Sequence, residues 1–239
     1  MRTIYEPSGR AAEFSGLALN LYTACNLSCK YCFNSKTPWY KPQPCRARLG
    51  LLPALEKAAS KGPKDKREVL LCFTSDPYPL IPASESITRP ALEILGKCGW
   101  GVQILSKAGM RATADFDLLK KYGWKYGSSL TCVSEQIRLN WEPNTASFAS
   151  RVDSLVMANA MNIYTWVSLE PVLDPKETLW IIEHLLFHEY TRPQFWKLGK
   201  LNYEKSDIDW KDYLQKARKI LDDNGQNYFI KNDLVEAGK

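Results

Sequence analysis

Six short apolar segments recur along the chain, each separated from the next by a longer stretch, and this alternation constrains the fold most. The segments are 16–22 (GLALNLY), 68–74 (EVLLCFT), 101–106 (GVQILS), 127–131 (GSSLT), 163–169 (IYTWVSL) and 194–198 (QFWKL). They are five to seven residues long and largely apolar without strict alternation, which is the pattern of strands covered on both faces. The stretches between them carry helical signals. Residues 84–98 place Ile87, Leu92 and Leu95 at near-helical spacing, and 207–223 place Ile208, Tyr213, Leu214, Ala217 and Leu221 along one face. Residues 174–190 begin DPKE, an N-cap followed by proline at the first helical position and acid in the first turn. Six βα units in a row predict an α/β fold, a partial (β/α)6 TIM-type barrel or a doubly wound sheet, and we take the barrel.

No repeat or low-complexity linker interrupts the pattern, so the 239 residues are expected to form one domain. Its core would span about 16–200, with a helical extension over about 201–239, and the basic 61–67 segment (KGPKDKR) reads as a solvated loop. Hydrophobic residues make up 45% and charged residues 24%, which excludes disorder. The opening MRTIYEPSGR lacks the apolar core of a signal peptide, and no uncharged apolar run reaches the roughly 20 residues of a membrane span. A soluble, cytoplasmic protein is expected. The net charge of +6 is compatible with a nucleic-acid or phosphorylated partner without requiring one.

Seven cysteines are present, and three of them, Cys25, Cys29 and Cys32, form C-x3-C-x2-C directly after the first strand (YTACNLSCKYCF). In a reducing compartment such crowding reads as a metal or redox site rather than a disulfide framework. Three thiolates on one short loop suit an iron–sulfur cluster with one metal position left free for a ligand that is not protein. A zinc knuckle is the alternative, but it ordinarily needs a second Cys or His pair at matched spacing, and none follows. A non-catalytic iron–sulfur or zinc protein that binds DNA is the rival of a different class. The remaining strand ends are polar: Thr74-Ser75-Asp76-Pro77-Tyr78, Ser106-Lys107, Ser129-Leu130-Thr131 and Ser168-Leu169-Glu170-Pro171. Such residues commonly just end strands and cap helices, but together they would face a ligand at a barrel mouth.

C-x3-C-x-aromatic-C after the first strand, with Tyr31 as the aromatic, resembles the radical S-adenosylmethionine (SAM) superfamily. The resemblance implies a [4Fe-4S] cluster on Cys25, Cys29 and Cys32, SAM on the free iron, and one-electron cleavage of SAM to a 5′-deoxyadenosyl radical. It also implies a reduced flavodoxin or ferredoxin-type electron donor. Within the superfamily the chain is similar to the spore photoproduct lyase group. The similarity rests on the cysteine loop, TSDPY, the Ser106-Lys107 pair, the strand holding Ser129, and WEPNTASFASRVDSL followed by Glu170-Pro171. It implies that Ser75, with Asp76 beside it, meets the SAM amino group, Lys107 its carboxylate, Ser129 its ribose and the backbone near Glu170 its adenine. The C-terminal third, with WKLGKLNY and NYFIKNDL, is not matched to a DNA-wedging element.

The substrate is accordingly expected to be a nucleic-acid base or nucleotide, with radical chemistry on a small molecule or peptide as the alternative. No catalytic residue is identified. Trp196, Lys197, Lys200, Asn202 and Tyr203 mix basic and aromatic groups that suit stacking a base and meeting phosphate, or simply core packing and a barrel mouth. Among Glu135, Arg138 and Glu142 at least one is a candidate to face substrate. His184 and His188, four apart on a helix, lack a third ligand and read as a plain helix face. Strand parity counted back from Ser75 puts Phe73 on the cavity face and turns Cys72 towards the helices. The lyase carries a hydrogen-donating cysteine two residues before its matching serine, so thymine-dimer repair is not expected.

Overall fold

The computed structural model describes residues 3–38 and 41–239. All six expected strands form, five of them trimmed at their ends and the fourth lying two residues earlier than expected: β1 (Leu17–Leu19), β2 (Val69–Leu71), β3 (Val102–Ser106), β4 (Lys125–Ser129), β5 (Tyr164–Leu169) and β6 (Phe195–Leu198). A seventh, β7 (Tyr228–Ile230), lies in the segment expected to be a helical extension. Its three residues are too few to show a period, which is why pattern reading passes over it. The strands pair parallel and in sequence order from β1 to β7, so the fold is a partial α/β barrel with one strand more than expected.

The connecting helices are α1 (Leu51–Ala59), α2 (Thr88–Lys97), α3 (Phe116–Tyr122), α4 (Glu135–Trp141), α5 (Phe148–Ala160), α6 (Pro175–Phe187) and α7 (Trp210–Asp223), with α8 (Asn232–Ala237) after β7. Asp174 caps α6 as its sequence implies, accepting from the Lys176 and Glu177 amides at 2.7 and 3.3 Å. Asp209 caps α7 by accepting from Asp212 at 3.0 Å. Each cap satisfies donors that a helix start leaves unpaired.

Alternation along each strand sorts the two faces. On β3, Val102 and Ile104 are buried in the core under the helices, while Leu105 turns to the bore. On β6, Trp196 and Leu198 join that core, leaving Lys197 inside, its Nζ 4.8 Å from the Trp166 ring centroid of β5. Trp166 lies flat against Gly127 of β4, where an added Cβ would collide with the indole.

The open side between β1 and β7 is spanned by the N-terminal segment. Tyr5 bridges antiparallel to Ala18, and a 3-10 turn over Gly9–Glu13 follows. Lys197 Nζ donates to the Phe14 carbonyl at 2.6 Å, and the Asn232 amide donates to Glu13 Oε2 at 2.9 Å. Residues near the start of the chain thus form part of the cavity wall. Among the described residues no helix is long and apolar enough to cross a membrane.

Because Trp166 occupies the space where a Gly127 side chain would go, Gly127→Ala should overpack the bore and cost about 1–3 kcal/mol. The check is a urea midpoint, which should fall without a change in slope.

Candidate active site

The C-terminal ends of the strands open into one cavity of about 220 Å³. Cys25, Cys29, Tyr31 and Cys32 line it from the loop after β1, Ser75 and Asp76 from the loop after β2, and Lys107, Ser129 and Glu170 from the ends of β3, β4 and β5. The structure therefore brings all nine residues singled out for cofactor or cluster binding to one place.

The cysteine loop is held in position by backbone and amide contacts rather than by an apolar core. The Lys30 amide donates to the Trp141 carbonyl at 2.9 Å, and Asn144 Nδ2 donates to the Asn26 carbonyl at 3.0 Å. Asn26 and Leu80 exchange hydrogen bonds at 2.7 and 3.1 Å. Asn34 Nδ2 donates to the Thr74 carbonyl at 2.9 Å. On the other flank Asn20 Oδ1 accepts from the Phe73 and Thr74 amides at 2.8 and 3.0 Å. Sequence patterning does not flag these asparagines, because amide side chains carry no periodic signal.

The thiols are free. Burial pushes Cys25 up to about 11 and Cys29 up to about 12, with the Lys107 ammonium drawing Cys29 partly back down. Buried thiols of this kind deprotonate when a metal supplies the missing positive charge. Among the described residues no three His, Cys, Asp or Glu side chains converge on a single ion. A [4Fe-4S] cluster does not ask for that convergence, since each thiolate holds a different iron.

Ser75 Oγ is buried and makes no hydrogen bond of ordinary geometry within the protein, although the Cys72 thiol lies beside it. Asp76 lines the cavity but its carboxylate is engaged: it accepts from Ser106 Oγ and the Tyr78 amide at 2.8 Å and from the Lys107 amide at 2.7 Å. It locks the ends of β2 and β3 together and so positions Ser75 and Lys107. The Lys107 ammonium lies 5.7 Å from the Tyr31 ring centroid and has no hydrogen-bonded anion among the described residues. Glu170 receives Lys231 Nζ on Oε1 at 3.0 Å, while Oε2 is buried without a partner. Burial raises the Glu170 carboxyl, with Lys231 opposing.

Behind this wall stands a buried ion pair. Glu142 is fully buried and Arg151 nearly so, with Nη2 to Oε2 at 2.5 Å. The Tyr31 hydroxyl donates to Glu142 Oε1, and Thr131 donates to the same oxygen at 2.8 Å. Arg151 donates onward to the Ser129 carbonyl and the Ala146 carbonyl, both at 2.9 Å. One pair thereby couples the cysteine loop to the end of β4. Burial disfavours the Glu142 carboxylate, but Arg151, Lys107 and the Tyr31 hydrogen bond outweigh it and hold the group down at about 2.

Three expectations need correction. Glu142 does not face substrate but sits in this pair, and Glu135 and Arg138 pair with each other; none of the three lines the cavity. Trp196 packs outward into the core, so of the basic and aromatic group only Lys200, Asn202 and Tyr203 line the cavity. Cys72 lines the cavity as well. Phe73 lines it too, as expected, but β2 ends at Leu71, so strand alternation does not extend through the turn to Ser75 and does not turn Cys72 away. The exclusion of thymine-dimer repair rested on that parity and loses its support. His184, as expected, lies on a helix face and stacks on Trp180 at 4.4 Å.

The model of the radical SAM superfamily matches residues 19–188, most of the chain, and the protein belongs to that superfamily. It is a radical SAM enzyme. Its fold is similar to that of a spore photoproduct lyase carrying a single cysteine-to-serine substitution (TM-score 0.70, 14% identity, 97% of this chain and 80% of that one). It is also similar to a spore photoproduct lyase complexed with dinucleoside spore photoproduct (TM-score 0.69, 14% identity, 96% and 79%). Streptococcus suis SuiB bound to S-adenosylmethionine is a further neighbour (TM-score 0.66, 12% identity, 92% of this chain and 50% of that one). Among curated protein sequences none matches.

Removing the Glu142 carboxylate leaves the Arg151 charge buried alone, so Glu142→Ala should cost about 3–5 kcal/mol in chemical denaturation. The folded pKa lies below the ordinary 4.5, so the pair's stabilisation is complete above that value and is lost as pH falls towards about 2. Glu142→Gln should therefore be less stable at neutral pH and show a flatter loss between pH 4.5 and 2. An unchanged acid-unfolding profile would contradict the role assigned to the pair.

Proposed function

We propose that Cys25, Cys29 and Cys32 hold a [4Fe-4S] cluster, that SAM occupies the cavity beside it, and that the substrate is a nucleic-acid base or nucleotide. The observation that carries the first two statements is the single cavity joining three free thiols to the polar ends of β2–β5. The groups lining it fit the cofactor. The buried Ser75 hydroxyl, with only the Cys72 thiol beside it, suits the amino group of SAM, and the Lys107 ammonium its carboxylate. Ser129, fixed through its carbonyl by Arg151, suits the ribose. Tyr31 is tied to Glu142, and Asp76 supports the wall from behind; Glu170 and its neighbouring backbone border the adenine end. When bound, the reduced cluster would supply the electron that cleaves SAM, with a flavodoxin or ferredoxin-type protein as its source. The protein's part is to orient SAM, keep water from the cleaved bond and hold the substrate against it.

The nucleotide reading is supported by the loop after β6, where Lys200, Asn202 and Tyr203 offer charge, amide and ring to one ligand. The lyase neighbour holds a dinucleoside photoproduct in its structure. SuiB, bound to a precursor peptide in another, supplies the alternative of peptide chemistry. We read the whole chain as one domain working in the cytoplasm, in keeping with seven free cysteines.

Each thiolate is a ligand in this reading, so Cys25→Ala, Cys29→Ala and Cys32→Ala should each abolish both the broad Fe–S absorbance and dithionite-driven SAM cleavage in anaerobically reconstituted protein. Full iron and sulfide content in all three variants would refute the assignment. Substrate-dependent formation of 5′-deoxyadenosine with oligonucleotides, but not with peptides, separates the two substrate classes.

A further inference from the structure

Part of the cavity wall is built by segments that the cofactor assignment leaves unused. Arg10, from the N-terminal segment, lines the cavity together with Lys200, Asn202 and Tyr203 from the loop after β6. Arg10 is held by its side: Nε lies 3.3 Å from Asp233 Oδ2 on α8, and the guanidinium carbon sits 5.3 Å from the Tyr203 ring centroid. Asn202 Nδ2 donates to the same Asp233 oxygen at 2.8 Å and to no carboxylate beyond it. No protein group among the described residues accepts a hydrogen bond from the terminal nitrogens of Arg10 or from Lys200 Nζ. The nearby Glu170 carboxylate is already engaged by Lys231. Two cations thus line the cavity, offset by Asp233 and by Glu170, whose Oε2 has no hydrogen-bond partner. Nε makes no hydrogen bond to Asp233 despite that approach, so the guanidinium keeps its donors free to take two oxygens of one anion.

We infer that Arg10 and Lys200 bind a phosphate of the substrate, with Tyr203 as the platform for the attached nucleoside. This rests on the nucleotide reading above and adds to it which residues recognise the phosphate. Tyr203 adopts a left-handed backbone (φ 66°), a conformation unfavourable for a non-glycine residue and one found at ligand-contacting positions. Its ring is about half exposed, so part of its surface remains available beyond the Arg10 contact. Two sets of cations then divide the work: Lys107 for the cofactor carboxylate, and Arg10 with Lys200 for the substrate.

The experiment is a pair of titrations on the reconstituted, SAM-loaded enzyme under anaerobic conditions. The probes are the dinucleotide thymidylyl-thymidine and its methylphosphonate analogue, in which a methyl group replaces a phosphate oxygen and removes the charge while keeping the length. The charged dinucleotide should bind about tenfold tighter or more, the effect of a charge-assisted hydrogen bond. Arg10→Gln and Lys200→Ala should each shrink that preference to about twofold while affinity for the neutral analogue stays within about twofold. Lys219→Ala, on the exposed face of α7, should leave the preference intact. Lys200 has no structural partner, so its variant decides the matter if Arg10→Gln fails to fold. Equal binding of both dinucleotides by the wild-type enzyme, or a preference that survives Lys200→Ala, overturns the phosphate assignment alone. Binding of neither dinucleotide by an enzyme that still binds SAM overturns the nucleotide reading itself.

Discussion

The parallel pairing of seven strands in sequence order places every strand's C-terminal end on the same rim, and the cavity follows from that arrangement. A parallel strand can only be reached through a crossover, and here helices cover the outer face as those crossovers. The outer residues of each strand, Val102 and Ile104 or Trp196 and Leu198, disappear beneath the helices and supply the core. The rim is then free to be polar. Ser75, Lys107, Ser129 and Glu170 stand along that rim and line the cavity.

A polar rim next to a cysteine loop needs a support that apolar packing cannot provide, and the Glu142–Arg151 pair is that support. Burying two charges is expensive, and the cost is met only when their remaining hydrogen-bonding groups are satisfied. Tyr31, Thr131, the Ser129 carbonyl and the Ala146 carbonyl satisfy them. The same bonds set the distance between the loop that carries the thiols and the strand that carries Ser129. Asp76 plays a parallel part between β2 and β3. In both cases a carboxylate in the sequence that looks available for ligand is instead holding neighbouring elements in register.

The other side of the cavity depends on the two ends of the chain meeting. β1 and β7 are the sheet's edges, and the N-terminal segment runs between them through Lys197 with Phe14 and Asn232 with Glu13. Arg10 and Asp233, 223 residues apart in sequence, become neighbours as a result. The residues that line that side, Arg10, Lys200, Asn202 and Tyr203, lie outside the cysteine loop and the ends of β2–β5.

By itself, the sequence determined the alternation of six strands with helices and the cysteine loop, because these are local: hydrophobic period, helix caps and three thiols within eight positions can be read from neighbours alone. It also named the residues at each strand end, since a polar residue at the end of an apolar run marks where that run leaves the core. The tertiary structure decided what these residues meet. Glu142 could be paired with Arg151 only once α4 and α5 had packed beside β4, and Arg10 with Asp233 only once both ends of the chain reached the open edge. Cys72 shows the same limit at short range. Alternation is reliable only while the strand lasts; β2 stops at Leu71, and the turn that follows sets the direction of Ser75 independently of the residues before it.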